Sequence, residues 1–228
     1  MYLDQELYQP YMGRLLYEVP SPEASASNYA EYWAQEFIGV VEHAGFTPEY
    51  YRSSTLYLGG KYNTAIRLAL DNADKIRSIY KEVSGAEKGA DWFPLQVVCE
   101  KCRKVGTTKV TAWDGKLVSY ACLPDLVKWG IGCGHVGIAD PFDGRAKLPW
   151  KVEWAAKFMV LGVHMEGAGK DHYTKGGSRD IARRILKEVF QFPEPIDIPY
   201  NFFTLGGAKM SSSKGKGSSA KEISDLLP

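Results

Sequence analysis

The chain has 228 residues, of which 45% are hydrophobic and 24% charged, and its net charge at pH 7 is +1. This length and composition are ordinary for a globular protein with one large or two small domains. Because the net charge is close to zero, nucleic-acid binding would have to depend on a local basic patch. No run approaches the roughly 20 consecutive apolar residues of a membrane span. The N-terminus has no basic segment followed by an apolar core, so we expect a cytoplasmic protein with no membrane partner.

The first part of the chain, residues 1–94, is predicted to be a mostly helical connecting segment. Apolar residues recur at helical spacing over residues 28–44, and Ser27 or Asn28 is suited to cap the start of that helix. A second helix is predicted over residues 61–84, because its apolar side chains fall on one face. That apolar face indicates a core position rather than a binding site.

The middle of the chain, residues 95–140, is predicted to be a small β-rich insert. Residues 110–112 and 117–121 have the composition of short strands. Asp114-Gly115 between them is a strong signal for a β-hairpin.

The cysteines lie at the edges of this insert, at Cys99, Cys102, Cys122 and Cys133. A Cys-x-x-Cys turn presents two thiolates at a spacing suited to tetrahedral zinc, and a hairpin would bring back the other half of the site. The alternatives are a redox pair or small buried cysteines, and the redox interpretation lacks a flanking βαβ pattern. The sequence therefore predicts one structural Zn²⁺ in a zinc-ribbon-like module, with four cysteine ligands and His135 as the substitute for the fourth.

The last part of the chain, residues 141–228, alternates helices and strands. The predicted order is helix 151–161, strand 163–166, glycine-rich loop 167–172, helix 178–190, strand 196–205 and a terminal loop. This order is half of a doubly wound parallel sheet, in which ligands bind beyond the carboxyl ends of the strands. Both polar loops follow a strand, so we expect them on the same rim, and we assign the chain to the α/β class.

The terminal loop is rich in glycine, lysine and serine. Glycines allow close approach of backbone amides to an anion, and lysine and serine side chains complete a phosphate cradle. A disordered linker is the alternative, because the same composition continues to Lys221. The residues concerned are Lys209, Met210, Ser211, Ser212, Ser213 and Lys214, after Gly206-Gly207.

Three blocks of the sequence resemble the class I lysyl-tRNA synthetase family, in the family's order and at its approximate spacing. They are Leu-Pro-Trp-Lys-Val-Glu-Trp at 148–154, Glu-Gly-Ala-Gly-Lys-Asp-His at 166–172 and Lys-Met-Ser-Ser-Ser-Lys-Gly at 209–215. The resemblance covers nearly the whole chain and is weakest before about residue 18. It implies the second half of a Rossmann-like nucleotide-binding fold. The activity it implies is activation of lysine by ATP to lysyl-adenylate, followed by transfer to tRNA-Lys.

Site residues follow from the resemblance together with the chemistry of the side chains. The implied cofactor is ATP with Mg²⁺, and Lys209 and Lys214 are expected to be the catalytic residues that bind the phosphates. Gly169 and Asp171 are expected to join residues 209–214 in binding ATP. The expected lysine-binding residues are Trp150, Glu166, His172 and Tyr200. Without the resemblance, a core position is the favoured interpretation of Trp150 and Tyr200, and loop capping explains Asp171 and His172 as well as ligand binding does.

Two features of the family are not found in this sequence. The first signature, His-Ile-Gly-His or a variant, has no match. His135-Val136-Gly137 looks like part of that signature but lies in the cysteine insert. The C-terminal anticodon-binding domain is not found either. We therefore expect a partial catalytic domain that does not activate lysine alone and that self-associates through an unpaired sheet edge. Two other functions stay open: a class I synthetase for glutamate or cysteine, and an inactive fragment that binds zinc or RNA.

Overall fold

The structure, a computed structural model, describes residues 5–201, 204–205, 208–210 and 219–225. Its α-helices are Gln5–Tyr8 (α1), Tyr29–His43 (α2), Ser53–Leu58 (α3), Asn63–Asp71 (α4), Ala73–Ser84 (α5), Trp150–Leu161 (α6), Ser178–Ile185 (α7) and Ala220–Ser224 (α8). Its strands are Gln96–Val97 (β1), Thr108–Trp113 (β2), Val118–Cys122 (β3), Val136–Ala139 (β4), Ala146–Lys147 (β5), Met165–Gly169 (β6), Ile196–Tyr200 (β7), Thr204–Leu205 (β8) and Ala208–Lys209 (β9). This mixture confirms the predicted α/β class. Over the described residues, no helix combines the length and the apolar character that crossing a membrane requires.

Of the two helices predicted before residue 94, the first is found where expected and the second is divided into two. Helix α2 begins where predicted, and the Asn28 side chain caps it by accepting a hydrogen bond from the Glu31 N–H at 3.0 Å. The single helix predicted over residues 61–84 is wrong, because α4 and α5 are separated at Asn72. The Asn72 side-chain amide donates a hydrogen bond to the Leu68 carbonyl at 2.9 Å. The Asn72 backbone N–H donates to the same carbonyl at 3.1 Å, but Asn72 itself leaves the helical conformation, with φ −112° and ψ 27°, so α4 ends there and α5 begins with the next residue.

The larger of two compact units comprises residues Tyr11–Arg14 and Arg52–Tyr200. Helix α7 packs against α5 and α6, and the apolar faces of these helices form its core. Tyr57 and Tyr62 stack with ring centroids 4.0 Å apart, and the Tyr57 hydroxyl accepts a hydrogen bond from the Leu148 N–H at 3.2 Å. Fully buried side chains include Tyr62, Ile66, Ile76, Ile79, Leu148, Phe158, Ile181, Ile185 and Leu186.

Within this unit, β2, β3 and β4 form an antiparallel sheet with β3 in the centre. The predicted hairpin is confirmed, since the Asp114 carboxylate accepts hydrogen bonds from the Lys116 and Leu117 N–H groups at 2.8 and 2.7 Å. These bonds fold the chain back between β2 and β3. Strands β1 and β5 pair antiparallel and tie the two ends of this region together.

Strands β6 and β7 form a parallel pair that runs from Met165↔Ile196 to Gly169↔Tyr200. The predicted strand at 163–166 is therefore wrong in its bounds, because Gly167 to Gly169 belong to β6 and not to the following loop. Parallel pairing with β7 supplies backbone hydrogen bonds, which overrides the low strand propensity of glycine. Strand β7 ends at Tyr200, earlier than predicted. Both strands end at the same edge, so the segments that follow them start side by side.

The smaller unit comprises Met1–Pro10, Leu15–Tyr51 and Asn201–Pro228. Its described part contains α1, α2, the antiparallel pair β8–β9 and α8. Helix α8 starts with a capping box in which Ser219 and Glu222 each satisfy the other's backbone N–H. Every residue of α2 is exposed or half-buried.

Candidate functional site

A cavity of about 420 Å³ lies between the start of α6 and the carboxyl end of the β6–β7 pair. Its lining includes all four residues predicted to bind lysine, and in addition Gly169 and Trp154. Its volume is within the range of sites for small ligands, which is about 300–1,000 Å³. The structure therefore brings together side chains from separate elements: Trp150 from α6, Glu166 and His172 from β6 and the turn after it, and Tyr200 from β7.

One wall of this cavity is aromatic. Trp150 and Trp154 are four residues apart on α6, so their indoles lie on the same face of the helix. Their ring centroids are 5.6 Å apart and the rings are nearly parallel. His172 meets both indoles edge-on, at 5.7 and 5.5 Å. Trp150 is 54% exposed, which leaves much of its indole open to a ligand with an apolar stem and a cationic end.

Glu166 supplies a carboxylate to this cavity. The Trp154 indole Nε1–H donates to both of its oxygens, at 2.9 and 3.0 Å. Burial raises the pKa of Glu166, and the hydrogen bond from Trp154 and the charge of Arg179 oppose that shift. A partly desolvated carboxylate gains more from a bound cation than an exposed one does. The sequence did not assign a role to Trp154, although its spacing from Trp150 was a signal for a shared face.

Behind the aromatic wall lies a buried ion pair that the sequence did not predict. Arg179 is fully buried, and its Nε–H donates to the Asp197 carboxylate at 2.9 Å. Arg183 donates to the other oxygen of Asp197 at 2.8 Å. The Arg179 guanidinium lies 5.9 Å from the Trp154 ring centroid and 4.9 Å from that of Phe158. Arg179 therefore supports the indole that holds Glu166.

The residues predicted to bind ATP are only partly within this region. Gly169 ends β6, and a Cβ added there would lie 2.8 Å from the Asp171 carboxylate, so glycine permits this close approach. Asp171 is exposed in the 3-10 turn Lys170–Tyr173. Lys209 is the last residue of β9 and Met210 follows it, both in the smaller unit. The remaining predicted residues, 211–214, lie outside the described residues.

The structure brings Cys99, Cys102, Cys122 and Cys133 together, with their sulfur atoms all within 4.8 Å of one another. The Cys99–Cys133 and Cys102–Cys122 sulfur distances are 3.6 and 3.7 Å. A tetrahedral zinc with Zn–S bonds of about 2.3 Å requires sulfur atoms about 3.8 Å apart, so the cluster has the spacing of a Cys₄ site. These distances exceed a disulfide bond of about 2 Å, and the four thiols are free.

His135, the alternative ligand, lies beside this cluster, but its side chain contacts other residues. Its Nε2 is 2.8 Å from a Glu100 carboxylate oxygen, and its ring meets Tyr120 edge-on at 5.9 Å. Burial opposes ionisation of Cys133, but hydrogen bonds from the His135 backbone N–H and the neighbouring thiols outweigh it and lower its pKa to about 7. Burial raises the pKa of Cys102 to about 12. Such a set of thiols is ionised fully only when a cation binds.

A model of the family described as tRNA synthetases class I (K) matches residues 2–228 of this chain. Proteins named lysine–tRNA ligase are similar to it over nearly its whole length. The one from Methanosarcina barkeri (strain Fusaro) is 40% identical over 227 residues, which are 98% of this chain and 40% of that protein. Those from Thermoplasma acidophilum and Archaeoglobus fulgidus are 36% and 35% identical, over 97% and 98% of this chain and 42% and 43% of those proteins. The chain thus spans about two fifths of the length of the curated relatives it matches.

Proposed function

The chain belongs to the family of class I tRNA synthetases for lysine, and on that basis we propose that it forms part of the catalytic domain of a lysine–tRNA ligase. The reaction would join the lysine carboxylate to the α-phosphate of ATP with release of pyrophosphate, and then transfer lysine to tRNA-Lys. The parallel pair β6–β7 would belong to the second half of a Rossmann-like fold. Residues 1–94 would form the connecting segment and residues 141–228 the catalytic half.

The observation that carries this proposal is the Glu166 carboxylate in an aromatic-walled cavity. Its direct partner among the described residues is the Trp154 indole, which is neutral, so its negative charge is available to the ammonium group of lysine. The aliphatic stem of lysine would lie on the exposed Trp150 indole. His172 and Tyr200, at the strand edge, would orient the reacting end of the amino acid. A ligand with a neutral or acidic side chain would leave the Glu166 carboxylate with only the Trp154 hydrogen bond and the charges of Arg179 and Lys157, which form no direct ion pair with it.

We assign ATP binding to the turn after β6 and to the lysine–serine segment, residues 209–214. Gly169 and Asp171 would meet the nucleotide, and Lys209 and Lys214 would neutralise charge that develops as pyrophosphate leaves. Bound Mg²⁺ would bridge phosphate oxygens and supply further positive charge. Met210 and the serines 211–213 would provide backbone and hydroxyl donors.

We also propose that Cys99, Cys102, Cys122 and Cys133 hold one structural Zn²⁺, so that residues 95–140 form a zinc-binding insert. The sulfur–sulfur distances of 3.6 and 3.7 Å support this proposal, as does the pairing of His135 with Glu100. A metal here would join the turn before β2 to the end of β3. Its role would be to hold the module together rather than to take part in the chemistry.

The proposed self-association involves the β6–β7 pair. Among the described residues these strands pair only with each other. Met165, Ile196 and Ile198 are large apolar residues of this pair, and they are 61%, 69% and 47% exposed. A sheet edge of this kind is prone to pair with another strand. We expect Ile198→Lys to shift sedimentation towards the monomer, and an unchanged oligomer distribution would contradict this proposal.

Lysine recognition can be tested by calorimetric titration with lysine, glutamate and cysteine. We expect lysine to bind best. Glu166→Gln should weaken lysine binding by about 10- to 100-fold, since a hydrogen-bonded charge contact contributes about 1.5–3 kcal/mol. Glu153→Gln is the matched control, because Glu153 lines the same cavity but is paired with Lys147 at 3.4 Å. Equal losses in both variants, or better binding of glutamate or cysteine, would overturn the assignment.

Activation itself is tested by lysine-dependent exchange of pyrophosphate into ATP, measured on the native enzyme that carries these residues. The Glu166→Gln variant should lose exchange mainly through a higher KM for lysine. Exchange that depends on another amino acid would point to a different synthetase.

A further inference from the structure

The four cysteines of the insert form two close pairs, and each pair joins a buried sulfur to a partly exposed one. The Cys99 sulfur lies 3.6 Å from that of Cys133, and the Cys102 sulfur lies 3.7 Å from that of Cys122. Cys99 and Cys122 are fully buried, whereas Cys102 and Cys133 are half-buried. A small reagent from solvent would therefore meet Cys102 or Cys133 first, with a second thiol in contact behind it.

Cys133 differs from Cys102 in its immediate neighbours. Cys133 is flanked by two glycines, whereas Cys102 is flanked by the exposed residues Lys101 and Arg103. A Cβ added to Gly134 would meet no atom of the described residues within 4 Å, its chain neighbours aside. The turn is therefore open beside Cys133, and a small solute reaches this thiol more easily than Cys102.

The buried partner of Cys102 is also tied to other groups. The Cys122 sulfur contacts the Thr107 hydroxyl at 3.2 Å, and it accepts a hydrogen bond from the Cys133 backbone N–H at 3.4 Å. Thr107 is fully buried. If Cys122 moved to form a bond with Cys102, the contact with this hydroxyl would weaken, and a buried hydroxyl without a partner is costly. The Cys99–Cys133 pair is therefore the one that closes more readily.

We propose that Cys133 is oxidised by a hydroperoxide and that Cys99 then closes a Cys99–Cys133 disulfide. The Cys133 thiolate attacks one oxygen of the O–O bond, which breaks, so that Cys133 becomes a sulfenic acid and the other oxygen leaves as an alcohol. The Cys99 thiolate then attacks the sulfenic sulfur, and the hydroxyl leaves as water. Two thiols are thereby oxidised to one disulfide, and one hydroperoxide is reduced to an alcohol and water.

The distance between the two sulfur atoms suits the second step. It is 3.6 Å, close to the roughly 3–3.5 Å at which reacting atoms meet before a bond forms. A metal ion held by the four cysteines would lose two of its ligands in this step and would be released. This oxidation goes beyond the proposed ligase reaction, and it rests on the proposed zinc site only for the release of metal.

The test is disulfide mapping by peptide mass spectrometry, on the native protein treated with hydrogen peroxide. We expect Cys99–Cys133 as the first product, with two of the four thiols lost. The control is the same treatment of the chain unfolded in denaturant. Cys99 and Cys133 are 34 residues apart, so loop closure in the unfolded chain should favour the nearer pairs Cys99–Cys102 and Cys122–Cys133. A different product in the folded protein would show that the folded contact selects the pairing.

Two matched variants test which thiol reacts first. Cys133→Ser and Cys102→Ser each remove one half-buried cysteine, so both should weaken metal binding. Cys133→Ser should lose most of the fast thiol oxidation, whereas Cys102→Ser should retain it and still form the Cys99–Cys133 disulfide. In Cys99→Ser the sulfenic acid has no partner in contact, so a dione reagent should trap it on Cys133.

The release of metal separates this inference from the proposed zinc site. Zinc captured by a coloured chelator should appear in parallel with the disulfide, and dithiothreitol with added Zn²⁺ should reverse both changes. A first disulfide at Cys99–Cys102 in the folded protein, or equal thiol loss in Cys133→Ser and Cys102→Ser, would overturn the proposal. Zinc-loaded protein that resists peroxide would also overturn it. Zinc-free protein that still forms the Cys99–Cys133 disulfide would support the oxidation and contradict the metal site alone.

Discussion

Replacement of Arg179 by methionine should destabilise the protein more than any surface substitution of the same kind. Arg179 is fully buried, and it makes two hydrogen bonds to Asp197, whose side chain is 14% exposed. Its removal would leave Asp197 buried beside Arg183 alone, and the Arg183 side chain is 42% exposed. Breaking a buried ion pair by removing one partner costs about 3–5 kcal/mol. Because Arg183 keeps one carboxylate oxygen paired, we expect about 3 kcal/mol.

Arg184→Met is the matched control, because Arg184 lies five residues further along the same helix, α7. Arg184 pairs with Glu82 at 2.9 Å and with Glu188, and its side chain is 38% exposed. Solvent screens such pairs, so this variant should lose about 1 kcal/mol or less. Both values can be measured by urea unfolding, with the slope of the transition checked for equality between variants.

The double variant Arg179→Met, Asp197→Leu distinguishes a buried charge from lost packing. If the cost of Arg179→Met comes from the uncompensated Asp197 carboxylate, removing that carboxylate as well should recover much of the stability. The reasoning would be refuted by an Arg179→Met cost no larger than that of Arg184→Met. It would also be refuted by a double variant as unstable as the sum of its single variants.

Further predictions concern the metal, the phosphate contacts and Glu166, the proposed carboxylate partner of the lysine ammonium group. Cys99→Ser should lower the zinc content, measured by elemental analysis, below one ion per chain and loosen the module, whereas His135→Gln should retain the metal; zinc loss in both would favour histidine as a ligand. Lys209→Ala in an active enzyme of this sequence should slow adenylate formation by about 10²-fold with little change in lysine binding, and equal effects would favour the linker interpretation. Trp154→Phe should raise the pKa of Glu166 further, because the indole hydrogen bond that favours the ionised carboxylate is lost. Since the ammonium contact needs the ionised carboxylate, lysine affinity should then be lost at a higher pH than in the unmodified protein, and an unshifted pH profile would contradict this.

The features that the sequence predicted well are those with local causes. The turn at Asp114 depends on two backbone N–H groups within three residues, and the start of α2 depends on the Asn28 side chain. The four cysteines were predicted to converge from their spacing alone, because a Cys-x-x-Cys turn and a hairpin are both short-range devices. Their sulfur atoms lie within 4.8 Å of one another.

The features that the sequence missed depend on contacts between separate elements. The Arg179–Asp197 pair joins α7 to β7 across 18 residues, and the Trp154–Glu166 bond joins α6 to β6 across 12. Neither partner carries a local signal that identifies the other. The break at Asn72 was missed for another reason, because apolar periodicity continues across the single residue that leaves the helical conformation. Lys214 and the serines 211–213 lie outside the described residues, so their role stays a prediction.

Helix α6 carries two aromatic residues of the proposed lysine pocket, and only one of them is supported by a buried charge. Trp150 is half exposed at the start of the helix, and one turn later the Trp154 indole donates hydrogen bonds to the Glu166 carboxylate. The Arg179 guanidinium lies 5.9 Å from the centroid of the Trp154 ring. A disturbance of Arg179 should therefore reach the Glu166 carboxylate through one side chain. In Arg179→Met, under conditions where the protein stays folded, lysine affinity should fall, whereas the control Arg184→Met should retain it; equal lysine affinity in the two variants would contradict this connection.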